Sequence, residues 1–415
     1  MNDIVVHKFG GSCLREKEDI EKVIEAITEI PGRPIVVVSA LWGMTDRLFR
    51  AAREPRYAGR LVEDLKTQHL RFAPGLDKGD YGDLFAKVIH DMSSELVNLS
   101  SGEPSTRSEN LILAAGERLS ALAIAHQLRK HGLDSHPVGA EDVGLMIKGK
   151  GRLAQIDIEK SRISLDRDKL EGIPILTGWF GEGEDGEIAL LSRGGSDHSA
   201  SAFANLLNAS KVILWKDVDG IKQLNPRWGI KTNSIPYLGY GEASELSLHG
   251  TPVIHPATVA PLIEEGIPLE IRNILNPKGE APTTIGPDFD SGEVKGIGCQ
   301  LGVAIVKSSS SIDSELISIL EEYDITTWSL ISTPEEMKLI LSSHDLHHIE
   351  HLISGQIEYK TAMISIIGPK ELQIKIEHEF VSNTKVGKRI TINSDNIGET
   401  LSILSQSLFS LQDCR

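Results

Sequence analysis

Two short stretches of this chain bring together side chains suited to holding anions. In "LLSRGGSDHSASAFANLL", Leu190 to Leu207, Arg193 offers a guanidinium fork for a carboxylate and Gly194 and Gly195 expose backbone donors. Ser196 is placed to cap the helix that the following residues predict, and Asp197 can pair with a lysine. In "KFGGSC", Lys8 to Cys13, a lysine precedes Gly10, Gly11 and Ser12 where a strand is expected to turn into a helix. Backbone N–H groups and the helix's partial positive charge would there meet an anion beside an ammonium group. Either stretch alone can be a tightly packed or capped turn. Two unrelated anion-holding devices in one α/β pattern point instead to a site for charged small molecules.

The elements that must position them are visible in the hydrophobic pattern. "IVVHKF" (Ile4 to Phe9) predicts a buried strand, and Ile20, Val23, Ile24 and Ile27 recur at helical spacing until "PGRP" stops the helix. Further strands are predicted at "IVVVSA", "IPILTG" (Ile173 to Gly178), "EIALL" (Glu187 to Leu191), "KVILW" (Lys211 to Trp215) and "IPLEIR" (Ile267 to Arg272), with one long helix over Leu111 to Leu133. The alternation predicts an α/β fold: a mainly parallel sheet between helical layers, with ligands at the carboxyl ends of its strands. Pro, Gly and acidic residues from Asn276 to Gly296 mark a boundary. Beyond it the order is strand, helix, strand, strand, helix, strand, with helices starting near Asp313 and Asp345, a ferredoxin-like α+β arrangement. A shorter second copy is expected in Glu371 to Leu411, so the domains are expected at 1–285, 296–370 and 371–415.

Composition narrows the function. Forty-three Lys and Arg against 59 Asp and Glu give a net charge of -16, which argues against a nucleic-acid partner but leaves room for a local cationic pocket. The apolar runs are shorter than the roughly 20 residues of a membrane helix, and the first residues lack the pattern of an export signal. Cys13, Cys299 and Cys414 are widely scattered, with no disulfide framework and no metal-ligand spacing, so a cytoplasmic setting is expected.

The motifs "KFGGS", "VVSALWGMTDRL", "RSENLILAAGERLSA", "TGWFGEGEDGEIALLSRGGSDHSASAFANLLNASKVILWKDVDGIKQLNPR" and "HGTPVIHPATV" occur in the order seen in the aspartate kinases, and residues 4–275 resemble that family. The tail more loosely resembles ACT-type regulatory domains. The resemblance implies the amino-acid-kinase fold and transfer of the γ-phosphoryl group of ATP, with Mg²⁺ carried on its phosphates, to the side-chain carboxylate of L-aspartate or a similar acidic amino acid. It implies that Lys8 steadies the transferring group, that Gly10, Gly11 and Ser12 cradle phosphate, and that Ser39 and Thr45 lie on the substrate side. Glu117 would face the acceptor's ammonium group, Arg193 would grip its carboxylate beside Ser196, and Asp197 would position Lys8. On the nucleotide side stand Gly194, Gly195, Lys216, Asp217, Lys222 and Arg227. A homodimer with an amino-acid effector at the ACT-type region is also implied.

The chain departs from the family on the nucleotide side. Lys216, Lys222 and Asn225 stand where threonine, tyrosine and aspartate are usual, and Pro252 in "GTPVIHP" replaces a nucleotide-binding lysine. One cation is lost and two appear nearby, so either Lys216 or Lys222 is expected to reach the phosphates. The competing expectation is a catalytically weak amino-acid sensor. "GLMIKGKG", Gly144 to Gly151, carries the core of a P-loop but has Gly151 at the Mg²⁺-binding hydroxyl position and is set aside. The histidines of "HDLHHIEHL" are spaced one helical turn apart, and a solvated helix face is the expected role.

Overall fold

Alternation along the first strand, β1 (Ile4–Phe9), sets the plan of the first part of the chain. Successive side chains point to opposite faces. Val5 and Phe9 enter an apolar core shared with Val36, Val38, Ile213 and Trp215, whereas Lys8 faces the other way. The structure, a computed structural model, describes residues 3–54, 57–102, 105–192, 194–248, 254–309, 313–323, 325, 327–369, 371–374, 376, 378 and 380–409. Arg193 and Pro252 therefore lie outside the described residues.

Contacts divide the chain into two compact units: Met1–Ile221 with Ser234–Ala243 and Val253–Asp288, and Lys222–Asn233 with Ser244–Pro252 and Phe289–Arg415. The second unit thus takes two short segments from the part expected as one domain, and 296–409 groups as one body.

After β1, the strands of the first unit are β2 (Arg33–Val38), β3 (Ser135–Val138), β4 (Met146–Lys148), β5 (Gln155–Ile156), β6 (Ile173–Thr177), β7 (Phe180–Gly183), β8 (Ile188–Leu190), β9 (Lys211–Lys216), β10 (Tyr237–Gly239), β11 (Leu269–Asn273) and β12 (Thr283–Gly286). Eight form one sheet in the order β10-β12-β11-β9-β1-β2-β6-β3. It is parallel from β11 to β3, and β12 runs antiparallel to β11. The "EIALL" segment supplies β8 of a separate four-stranded sheet, β5-β4-β7-β8, because its three strand residues are only half-buried and pair with β7 rather than with the central strands. The "GLMIKGKG" segment is β4 of that sheet followed by a 3-10 turn, without the helix a phosphate loop requires.

The helices are α1 (Asp19–Thr28), α2 (Met44–Arg53), α3 (Ala58–Phe72), α4 (Gly82–Ser101), α5 (Thr106–Lys130), α6 (Ile158–Ser164), α7 (Gly195–Leu207), α8 (Tyr240–Leu248) and α9 (Pro256–Ile263). The first five contribute to the core that holds Val5, Phe9, Val36 and Trp215. Phe9 and Trp215 stack at 6.1 Å between ring centroids, bracing β1 against β9. α5 starts five residues before the expected Leu111 because Ser105 accepts the Ser108 N–H and caps it. α7 lies against β1, β2 and β9 and is buried along its length.

The second unit carries β13 (Gly296–Ser308), α10 (Ser314–Glu322), β14 (Thr327–Ser332), β15 (Met337–Ser342), α11 (Ser343–Leu346), β16 (Gln356–Ile367), β17 (Phe380–Asn383), β18 (Gly387–Asn393) and α12 (Ile397–Phe409). All six strands join one antiparallel sheet, β14-β15-β13-β16-β18-β17. The expected second copy therefore extends the first rather than standing apart. The long strands β13 and β16 make this possible: the first half of β16 pairs only with β13, and its second half also pairs with β18. The helix expected from Asp345 is one short turn, and His347 instead stacks on Tyr359 at 5.4 Å. Among the described residues no helix is long and apolar enough to cross a membrane.

Candidate active site

β1 is the point at which strand order reverses, with β2 on one side and β9 on the other. Open α/β sheets bind ligands at such a point, beyond the carboxyl ends of the strands. There a cleft of about 730 Å³ opens in the first unit, a volume typical of small-molecule sites. Lys8, Ser39, Thr45, Glu117, Gly194, Gly195, Ser196 and Asp197 line it together. Lys8 comes from the end of β1, Ser39 from the turn after β2, Thr45 from α2, Glu117 from the middle of α5, and the rest from the start of α7.

Asp197 sits in the first turn of α7, buried, with Lys8 Nζ 2.6 Å from Oδ1 and Lys216 Nζ 2.8 Å from Oδ2. Burial alone would push this carboxyl up, but Lys216 and Lys8 outweigh it and hold it well below the usual carboxylate range. The helix N-terminus adds a favourable field. Glu117 is the opposite case. Burial pushes its carboxyl up from 4.5 to about 7, against the downward pull of Lys8, of the Ser196 hydroxyl and of backbone N–H groups. Its Oε2 accepts the Gly178 N–H at 2.9 Å, and its Oε1 accepts the Ser196 hydroxyl at 3.1 Å. Two carboxylates in one cleft are thus tuned apart by their neighbours.

Ser196 does not cap α7 as expected. Gly194 occupies the cap position with φ +77°, and a Cβ there would come within 2.6 Å of the His255 side chain, so only glycine fits. The chain consequently enters the helix two residues early, and the Ser196 hydroxyl is left for Glu117. The turn after Lys8 also differs from expectation. Gly11–Cys13 form a single 3-10 turn and α1 begins only at Asp19, so no α-helix N-terminus follows the glycines directly. Cys13 is buried, donates its thiol to the Trp215 carbonyl at 3.2 Å, and has its pKa pushed up to about 11, chiefly by burial.

The expected nucleotide-side residues separate. Lys216 ends β9 and meets Asp197, whereas Asp217 forms an exposed pair with Arg15 at 2.8 Å. Lys222 and Arg227 belong to the second unit, where Arg227 donates to the Cys299 carbonyl at 3.0 Å. Asn225, in the family's aspartate position, caps the following turn by accepting the Arg227 N–H.

Two cleft residues escape the sequence reading. Arg53, at the end of α2, lines the wall with its guanidinium over the Phe49 ring at 5.5 Å, and no ion pair engages it among the described residues. Trp179 adopts φ +68°, uncommon for a bulky residue. It is held there because its N–H meets the Ser199 hydroxyl and its indole N–H meets the Leu191 carbonyl at 2.7 Å. A Cβ on Gly195 would come within 2.5 Å of its ring, which links that glycine to the wall. The "TGWFG" motif shows the tryptophan, but no local pattern shows its backbone.

A cleft at the reversal point of the sheet, lined by glycines and by Lys8, Glu117 and Asp197 together, fits one class of protein. Residues 3–273 match the Amino acid kinase family, and the chain belongs to that family. It is 29% identical over 399 residues to Aspartokinase 3 of Bacillus subtilis (strain 168), a match covering 88% of this chain and 86% of that protein. Aspartokinase 2, chloroplastic, of Arabidopsis thaliana is 30% identical over 68% of this chain and 54% of its own length. Among solved structures, E. coli aspartokinase III in complex with aspartate and ADP (R-state) superposes with a TM-score of 0.83 at 20% identity, over 98% of this chain and 100% of that one. The aspartate kinase of Clostridium acetobutylicum superposes at 0.78 and 19% identity, over 97% and 100%.

Proposed function

We propose that this chain is an aspartate kinase, transferring the γ-phosphoryl group of ATP to the β-carboxylate of L-aspartate to give 4-phospho-L-aspartate. The observation that carries it is the meeting of Lys8, Glu117 and Asp197 in one cleft, each from a different element. Donor and acceptor are both anions, so the site must hold them in line while cations absorb their repulsion and the charge of the transition state. Lys8 supplies that charge, with the backbone of Gly10, Gly11, Ser12, Gly194 and Gly195 around the phosphates. The acceptor carboxylate is ionised near neutral pH and needs no general base. Glu117 receives the acceptor's ammonium group, Ser39, Thr45 and Ser196 complete the pocket, and Arg193 holds the α-carboxylate. Asp217 serves the nucleotide.

The described residues include no group of three or more His, Cys, Asp or Glu that could hold a metal ion, and both oxygens of Asp197 already meet ammonium groups. Mg²⁺ would enter on the nucleotide phosphates. When bound, it neutralises phosphate oxygens.

The second unit acts as the regulatory part, binding a pathway amino acid such as lysine or threonine. Its sheet ends in β14, where Leu330 is exposed, an edge suited to pairing with a second copy in a homodimer. A hydroxamate assay tests the reaction directly, because hydroxylamine traps an acyl phosphate. Product with aspartate, ATP and Mg²⁺ supports the assignment. Amino-acid binding with no nucleotide binding and no product across acidic acceptors refutes it in favour of a sensor.

A further inference from the structure

The register of the central sheet gives Lys216 a narrower task than nucleotide affinity. Lys8 pairs with Leu214 across β1 and β9. Lys216 lies two residues further along β9, hence on the same face of the pleat and one step nearer the carboxyl edge. Its ammonium reaches one oxygen of Asp197 while Lys8 takes the other. One buried carboxylate can be paired by one lysine; Asp197 holds two, so releasing one ammonium still leaves the carboxylate paired. Lys222, the other cation gained on the nucleotide side, lines a different cavity in the second unit with Lys231, Ile230 and Phe409.

We propose that Lys216 is a second catalytic cation of phosphoryl transfer. When the nucleotide arrives, its ammonium passes from Asp197 to an oxygen of the transferring γ-phosphoryl group, so that the group moves under two lysines. The bond from the γ-phosphorus to the bridging oxygen breaks and its electron pair stays on the β-phosphate of ADP. The new bond forms to a β-carboxylate oxygen of aspartate, and no proton need move. Asp197 holds the second ammonium in place while the site awaits nucleotide, which limits the reorganisation required at the moment of reaction.

The inference rests on the kinase assignment above, and the test separates them. Wild-type full-length protein and its K216M, K216T and K216R variants are compared by hydroxamate kinetics, by calorimetric binding of MgATP and MgADP, and by thermal melting to confirm folding. Loss of a transition-state donor lowers kcat by roughly 10²- to 10³-fold in K216M and K216T, with KM for aspartate held within about threefold and part of kcat recovered in K216R. Affinity for MgATP falls further than affinity for MgADP, since only ATP carries the γ-phosphoryl group. Should K216M not fold, the same comparison is made with K216R and K216T. A K216M or K216T kcat within about threefold of wild type overturns the inference and leaves the kinase assignment standing. Equal losses for ATP and ADP with kcat kept also overturn it, making Lys216 an affinity residue. A wild type that gives no acyl phosphate brings down both.

Discussion

Two buried ionic clusters, one in each unit, are built on opposite principles. In the second unit, Arg389 on β18 forks onto Glu245 with Nε 2.6 Å from Oε1 and Nη2 2.7 Å from Oε2. The Ser365 hydroxyl donates to the same Oε1 at 2.9 Å, and Arg389 Nη1 donates to the Trp328 carbonyl. The guanidinium fork is filled. In the cleft, two ammonium groups share Asp197, and Glu117 is buried with its carboxyl pushed up to about 7. The first cluster is closed. In the second, two ammonium groups share one carboxylate while the other carboxyl, Glu117, is held by the Ser196 hydroxyl and the Gly178 N–H, an arrangement suited to two anionic substrates, one bearing an ammonium group. A buried ionic cluster is therefore informative about function when its charged groups are not matched one to one.

The largest expected effect tests the closed cluster. Arg389→Met takes the guanidinium away from buried Glu245, and urea unfolding should show a loss of about 3–5 kcal/mol, as for other broken buried pairs. A change under about 1 kcal/mol would mean that water reaches Glu245 and that the contrast with the cleft is false. Lys8→Met comes next: turnover in the hydroxamate assay should fall by roughly 10²- to 10³-fold, about 2.7–4 kcal/mol of transition-state stabilisation. Unchanged turnover would remove Lys8 from the chemistry.

Glu117 yields a pH prediction. Its folded pKa lies above its ordinary 4.5, so between that value and about 7 the folded protein holds a proton that the unfolded chain has released. Stability of the substrate-free protein should decline as pH rises through this window, by up to about 1.4 kcal/mol per unit, and level off above it. Glu117→Gln should flatten that decline. Aspartate binding to the wild type should tighten over the same interval, because its ammonium group favours the ionised carboxyl. Calorimetry from pH 5.5 to 8 checks this, and flat affinity would separate Glu117 from the acceptor.

Smaller effects belong to the rim. Arg53→Ala should raise KM for aspartate by about two- to fivefold, the size of an exposed charge contact. Arg15→Ala, which breaks an exposed pair with Asp217, should leave stability within about 0.5 kcal/mol of wild type.

The site was legible where chemistry coincides with a local pattern. Lys8 stands at the end of an apolar run, and Asp197 follows a glycine pair at a helix start, so each could be placed on the sheet edge from its neighbours in sequence. Ser196 was misassigned for a reason the local pattern hides: with Gly194 already at the cap, its hydroxyl is needed by Glu117, 79 residues away. Trp179 and Arg53 escaped notice because a positive φ and a place on a cleft wall depend on elements packed against them. The second unit was read as one and a half ferredoxin-like repeats, since pattern reveals strands but not which edge receives the next one.

Sequence by itself determined the central strands β1, β2, β6, β9 and β11, the helices α1, α5 and α7, and the place of Lys8 and Asp197 at the turns beside them, because strand parity and glycine turns are local properties. Tertiary structure alone decided that Lys216 rather than Lys222 meets Asp197, that Glu117 is held near neutrality, and that residues 222–233 join the second unit. Those outcomes depend on burial and on registers between strands far apart in the chain. Electrostatic energies follow distance and solvent exposure, and neither quantity exists until the sheet has formed.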